Sequence, residues 1–256
     1  MAIWRTTHPL YGAFLKTVRA QDHLDVIRRK IEPLGYGDCE VTIEQKDDPN
    51  GGGIRLVTEE PGPDLAVVIG DFLFCLLSAL DHIVWALVIA NPPNKPSTRN
   101  QFPICSCHCN FRGELKKGRL DGLSDIALTA VEGLQPYKAG HNLLGLLNGL
   151  HNIDKHRRLN VTTVSIDSLI FEWREKGVPV MDYRLTGDGP TNGAELLQGA
   201  IAHGLSGGDV KVSGKATGSV LFKDEPGRDL DVLPILEEML DYFKDSVFPT
   251  FEPLFS

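Results

Sequence analysis

The chain has 256 residues, 42% hydrophobic and 23% charged, which suffices for one large core or two modest ones and excludes wholesale disorder. A formal charge of -8 and a pI near 5.5 argue against a protein that coats nucleic acid or an anionic membrane, so any nucleic-acid role must be local. Five cysteines, an odd number without a small-domain framework, point to a reducing compartment rather than a disulfide scaffold.

The start, MAIWRTTHPLYGAF, lacks the basic region, apolar run and cleavage site of a secretory signal, so the expected location is cytoplasmic. Pro9 suits a first helical turn, and the spacing of Phe14, Val18, Ile27 and Ile31 predicts a helix to about Glu32, stopped by PLGYG. CEVTIEQ and GIRLVTE alternate in polarity around KDDPNGGG and predict a β-hairpin. After PGPD, with Asp64 as the expected N-cap, comes an apolar helix of about Leu65 to Ala90, ended by NPPNKP. Asp71, Asp81 and His82 inside it mark a buried helix of a soluble protein, because each mid-membrane Asp would cost about 2.5 to 3.5 kcal/mol on insertion scales. No membrane partner is expected.

One or two short helices are predicted between Phe111 and Leu134, interrupted by Gly113, Gly118 and Gly122, before a turn at QPY and a further helix over HNLLGLLNGLHNIDKHRRL. From Val161 the pattern turns to β. VTTVSIDSLIFEW and VPVMDYRL flank a REKG turn, and VKVSG and GSVLF flank a Gly-rich one, which predicts two more hairpins. DLDVLPILEEMLDYFKDSVF closes the chain as a helix kinked or started at Pro234. The expected fold is α+β, one domain over 1–256, with a helical core of four or more helices at about 64–159. Antiparallel β-hairpins form a β-rich part at about 161–222, and the closing helix covers about 231–248.

Chemistry concentrates in LSALDHIVW (77–85) and LHNIDKHRR (150–158). On the long helix Asp71, Cys75, Ser78 and His82 follow spacings of four, three and four, one narrow stripe bordered by Asp81 and Trp85. Since an all-round apolar helix is usually central, the stripe is expected to be a buried polar seam, either fixing register or serving a site. In the second segment Leu143, Leu147 and Leu150 define an apolar stripe whose next step is Asp154, so Asp154 is expected to face inward against an arginine, histidine or hydroxyl donor. His151 and Asp154 are the candidates to share that seam with His82. Asn152 and His156 project from the opposite face, and KHRR also suits a helix C-terminus.

HNIDKH resembles a degenerate form of the RNxxxH motif of HEPN domains, helical proteins many of which cleave RNA with the arginine and histidine of dimer-apposed helices. Asn152 and His156 match the motif, and His151 stands where it has arginine. The resemblance implies His156 as general base or acid for attack by a ribose 2′ hydroxyl, with Arg157 or Arg158 binding phosphate, RNA as partner and a homodimer as the working form. No cofactor is implied. LDHIVW, FPI, LQPY and NIDKHR together resemble a recurrent pattern of uncharacterised bacterial proteins, which supplies no activity; the role expected of the chain is that of a bacterial accessory or defence-type protein.

Two readings stand beside this one. The first is a noncatalytic small-ligand or protein-interaction module whose polar seam is structural. The second is a metal-dependent helical-bundle enzyme using His82, His151, Asp81 or Asp154. CSCHC offers Cys105, Cys107, His108 and Cys109 as soft ligands, but ligands this close together rarely surround an ion, so loop cysteines without a ligand and no metal are expected. GxxxxGK[ST], GxGxxG after a strand, HExxH and GxSxG are all missing, and HGLSGGD at 203–209 reads as a turn.

Overall fold

The computed structural model describes residues 6–34, 39–40, 42–46, 53–57, 61–140, 142–159, 161–175, 178–186 and 210–255, with the strands among 39–57, 162–186 and 210–218 described by their backbone. The centre of the KDDPNGGG turn and the HGLSGGD turn lie outside the described residues.

A helical core is present. Helix α1 (Tyr11–Ile31) buries Ala13, Thr17, Ala20, Leu24, Ile27 and Ile31, an unbroken alternation of four- and three-residue steps that puts all six on one side. That side packs along α2 (Pro63–Ile89), the most extensive helix pairing in the chain. The two helices are antiparallel, since Gly12 meets His82 at one end and Lys30 pairs with Asp64 at the other. Pro63 takes the first helical position of α2 and Gly62 caps it without a side-chain bond, so Asp64 is not the N-cap; it sits in the first turn, where its charge suits the helix dipole.

Helix α2 is long and apolar enough to cross a membrane by length and composition, and 61% of its most apolar window is buried inside the molecule. Short helices α3 (His108–Lys116) and α4 (Asp125–Gly133) follow, with Gly113 inside α3 instead of ending it. Gly118 and Gly122 have φ of 76° and 88° and supply the turns between them. A single turn α5 (Pro136–Ala139) leads into α6 (Leu143–His156), which lies against α2 and buries Leu144, Leu147 and Leu150.

Strand segments β1 (Cys39–Glu40), β2 (Thr42–Lys46), β3 (Gly53–Val57), β4 (Val161–Glu175), β5 (Val178–Thr186) and β6 (Val210–Phe222) pair antiparallel, β2 with β3 and the rest in the order β1-β6-β4-β5. VKVSG and GSVLF are not the two arms of a hairpin. They form one continuous strand, β6, which runs beside β4 through Gly214 and Gly218, so pairing with a long neighbour overrides the local turn signal.

The closing helix α7 (Val232–Tyr242) takes Pro234 in its first turn and continues through a π-helical stretch, Phe243–Val247, into α8 (Phe248–Phe251). Leu236, Met239, Leu240, Phe243 and Phe251 join the same core as α1 and α2. Each such fully buried side chain contributes about 1.5 to 3 kcal/mol. The half-exposed Arg28–Glu237 pair (2.7 Å) tying α1 to α7 is worth about 0 to 1 kcal/mol, so packing, not ion pairing, holds α7 in place.

Candidate functional site

One extended segment, residues 100–105, is held from three directions. Asp81 of α2 accepts the Phe102 backbone N–H at 2.8 Å. Gln135, fully buried at the start of α5, accepts the Cys105 N–H through Oε1 (2.9 Å) and donates from Nε2 to the carbonyls of Pro103 (2.9 Å) and Val131 (3.0 Å). Asn100, also buried, accepts the Ser97 N–H and donates to the carbonyls of Arg119 and Asp121. A buried peptide group needs a partner, and here side chains supply what a neighbouring strand would. Three of the sequence segments singled out above therefore meet: the aspartate of LDHIVW and the glutamine of LQPY both bind the backbone of FPIC. Burial pushes the Asp81 carboxyl above its ordinary value, and the Phe102 N–H works against that shift.

The clamped segment forms one wall of a cavity of about 640 Å³, open on one side. Helix α3 supplies Asn110 and Glu114, its C-cap is Lys117, the following turn adds Arg119, and α6 adds Asn148 with its N-cap Asn142. Glu114 accepts from Lys117 Nζ (2.6 Å) and Arg119 Nε (3.2 Å), and the Lys117 ammonium holds its carboxyl below the usual range. The lining thus offers side-chain amides and the Ser106 hydroxyl around one acid shared by two cations.

The expected seam is not a buried one. Asp71 and His82 are exposed, Ser78, Asp81 and Asp154 are half-buried, and only Cys75 and His151, each 6% exposed, are buried. Apolar residues surround α2 so evenly that its polar stripe, read as inward, is in fact the side turned to solvent. His82 lies over Gly12, which has no Cβ to obstruct it; partial burial pushes the imidazole below its ordinary value although the residue is exposed. His151 instead packs on Phe74, ring centroids 6.0 Å apart, and burial, helped by Lys155, lowers it too. The two histidines thus touch different neighbours and share no site.

Asp154 rests on Gly70 of α2 and makes no hydrogen bond or ion pair among the described residues, contrary to the expected arginine or histidine partner. Burial and the nearby Asp71 charge push its carboxyl above the ordinary value. Its nearest arginine in sequence, Arg157, turns away to Asp224, a carboxylate only 7% exposed, at 2.7 Å. Asn152, His156 and Arg158 are exposed, as is Lys155, and none of them lines the cavity.

In CSCHC, Cys107 and Cys109 are joined by a disulfide, not free. Cys107 also caps α3, its sulfur accepting the Asn110 N–H. Cys105 is a buried thiol pushed up by desolvation, and His108 stands 3.7 Å from Glu132. Among the described residues no three His, Cys, Asp or Glu side chains converge as a metal site would need. Sequence reasoning overlooked Gln135, Asn100 and the Glu114, Lys117, Arg119 trio; the cue for the first was a lone amide ahead of Pro136 in an apolar stretch. No family model, curated protein or solved structure matches this chain.

Proposed function

We propose that the chain is a noncatalytic module that binds a small polar molecule in the cavity walled by residues 101–106. The observation that carries this reading is the clamp. Asp81, Asn100 and Gln135 hold a segment that belongs to no helix or strand, and hydrogen bonds from such buried and half-buried groups keep a cavity wall rigid and its lining preorganised. Asn110, Asn142 and Asn148 suit a ligand rich in hydroxyl or amide groups, and Lys117 with Arg119 suits one that also carries a single negative group. The finer architecture belongs to the same proposal: an α+β chain whose antiparallel hairpins stand beside a helical core that carries the site.

Thermal-shift screening of polar carboxylates, nucleosides and sugars tests it. A binder at one hundred times its Kd adds about 2.7 kcal/mol and raises Tm, and Asn148→Leu abolishes that rise without lowering the ligand-free Tm. If no compound raises Tm, or if Asn148→Leu responds like the parent, the reading fails.

A second reading, metal-independent RNA cleavage or binding by HNIDKH, is favoured by one observation: Lys155, His156 and Arg158 are all exposed at the end of α6. In that case His156→Ala removes cleavage of single-stranded and transfer RNA while leaving Tm unchanged, because an exposed histidine adds little to the fold. Absence of cleavage and of RNA binding by the parent chain disposes of it.

A further inference from the structure

Between Val67 and Ile89 the exposed residues of α2 are Val67, Asp71, Phe74, His82, Trp85 and Ile89, with half-buried Ser78 midway. At 100° per residue they fall within about 80° of one another, a single stripe about 33 Å long. Four of them are large and apolar: Val67 is 58% exposed, Phe74 54%, Trp85 45% and Ile89 58%. Exposed apolar side chains scattered singly need no explanation, but a row of them along one helix does.

The row is also a palindrome. Measured from Ser78, its members stand four, seven and eleven residues away on either side. We infer that this face of α2 is the interface between two copies of the chain, packed antiparallel about a two-fold axis at Ser78. A two-fold operation brings position +n of one helix to position -n of the other, so the stripe meets itself with chemistry that matches. Val67 meets the second copy's Ile89, apolar on apolar. Phe74 meets its His82, ring on ring. Asp71 meets its Trp85, whose indole N–H donates and takes no proton in return, so carboxylate and indole are complementary. Each contact occurs twice, and within the row no like charges oppose one another.

The face is also broad enough. Helix α1 borders the stripe at Gly12 and Lys16, the Lys16 ammonium standing 5.8 Å above the Phe74 ring, and α6 borders it where His151 meets Phe74 and Asp154 meets Gly70. Three helices at about 8 to 10 Å spacing make a face some 20 Å wide by about 33 Å long, the scale of an interface burying about 800 Å² per partner. A lipid surface fits worse, because Asp71 and Asp154 would lie at the contact and the chain carries a net charge of -8. The inference does not depend on the ligand proposed for the cavity.

The full chain is examined by sedimentation equilibrium, and single-cysteine cross-linking locates the axis. Ser78→Cys, sitting on the axis, should form a disulfide-linked dimer with itself under mild oxidation, beyond any background of the parent chain. Val67→Cys and Ile89→Cys, each eleven residues off the axis, should cross-link far better when mixed than alone. Ile89→Lys and Val67→Lys should each weaken the dimer at least tenfold, with circular dichroism and Tm verifying that these exposed positions leave the fold intact. A parent chain that stays monomeric at about 100 μM overturns the inference. So does a dimer that survives both lysine substitutions, and so does a monomer that sediments with anionic vesicles.

Discussion

The carboxyl group of Asp154 lies directly over the Cα of Gly70, so close that a Cβ built on the glycine would stand 2.6 Å from the Asp154 Cγ. Two helices, α2 and α6, approach at this point because one side brings no side chain and the other brings a charged one. It is a contact of shape without compensation of charge, since Asp71 stands nearby with the same sign.

Gly70→Ala should therefore destabilise by about 1 to 3 kcal/mol, the usual penalty of overpacking, even though alanine is the better helix former. Adding Asp154→Ala should recover most of the loss, and a double-mutant cycle by chemical denaturation measures the coupling. Asp154→Asn alone should stabilise at neutral pH. The sign follows from linkage: the folded-state carboxyl titrates above the 3.8 of the unfolded chain, so the folded state holds its proton longer. Below 3.8 the carboxylate costs nothing, the cost grows through the window up to the raised value, and above it is complete. The advantage of Asn over Asp should thus shrink as pH falls towards 3.8, and an advantage independent of pH would contradict the account.

Gln135→Leu should be among the most damaging single substitutions in the chain. It strands the Cys105 N–H and the carbonyls of Pro103 and Val131 in a fully buried place, and each buried group left unmade costs about 1 to 3 kcal/mol. Gln135→Glu keeps the acceptor for Cys105 but loses the donor, so it should rescue little. Urea midpoints rank the two variants, and a loss under 1 kcal/mol for Gln135→Leu would mean that the clamp is not structural.

These residues also show where the sequence could be read and where it could not. Helices α2 and α6 were legible because period and stop signals are local: Pro92 and Pro93 follow the end of one, and of the expected stripe on the other Leu147 and Leu150 are buried and Leu143 half-buried. The orientation of α2 was not legible. When Phe72 and Phe74 differ only in which neighbour covers them, hydrophobicity alone cannot say that the first is buried and the second exposed; Asp71 and His82 carried that information and were assigned to the wrong side. Nor could spacing pair Gln135 with Cys105 across thirty residues, because a side-chain bond to a distant backbone leaves no period. Asp154 was placed on the correct stripe, but its partner depends on where Arg157 turns, and that is decided by Asp224 far along the chain.

Trypsin should release Asn100–Arg112 as one peptide holding Cys105, Cys107 and Cys109. With Cys107 and Cys109 bridged, alkylation of the denatured, unreduced protein should label that peptide once, at Cys105, and after reduction three times. Mass spectrometry reads the difference directly. Three labels without reduction would show the pair to be dithiol under the conditions of purification.

His151 should make the protein acid-sensitive. Its ring is buried against Phe74, and its Nδ1 has no hydrogen-bond partner among the described residues. Burial first, then the Lys155 charge, lowers its pKa below the 6.5 of the unfolded chain. In the window from 6.5 down to that lowered value the unfolded chain binds a proton that the folded one refuses, so stability rises with pH there and falls as the solution is acidified. Above 6.5 both states are neutral and the effect vanishes. His82 and His23 are shifted in the same direction, so the parent chain alone cannot isolate one residue. His151→Phe can: it removes one proton from the linkage and an unmade buried hydrogen bond with it. The variant should match or exceed the parent above pH 6.5 and gain on it as the pH falls from 6.5 towards the lowered value, as followed by urea denaturation at half-unit intervals. A variant whose stability runs parallel to the parent through that window would show that His151 is protonated alike in both states.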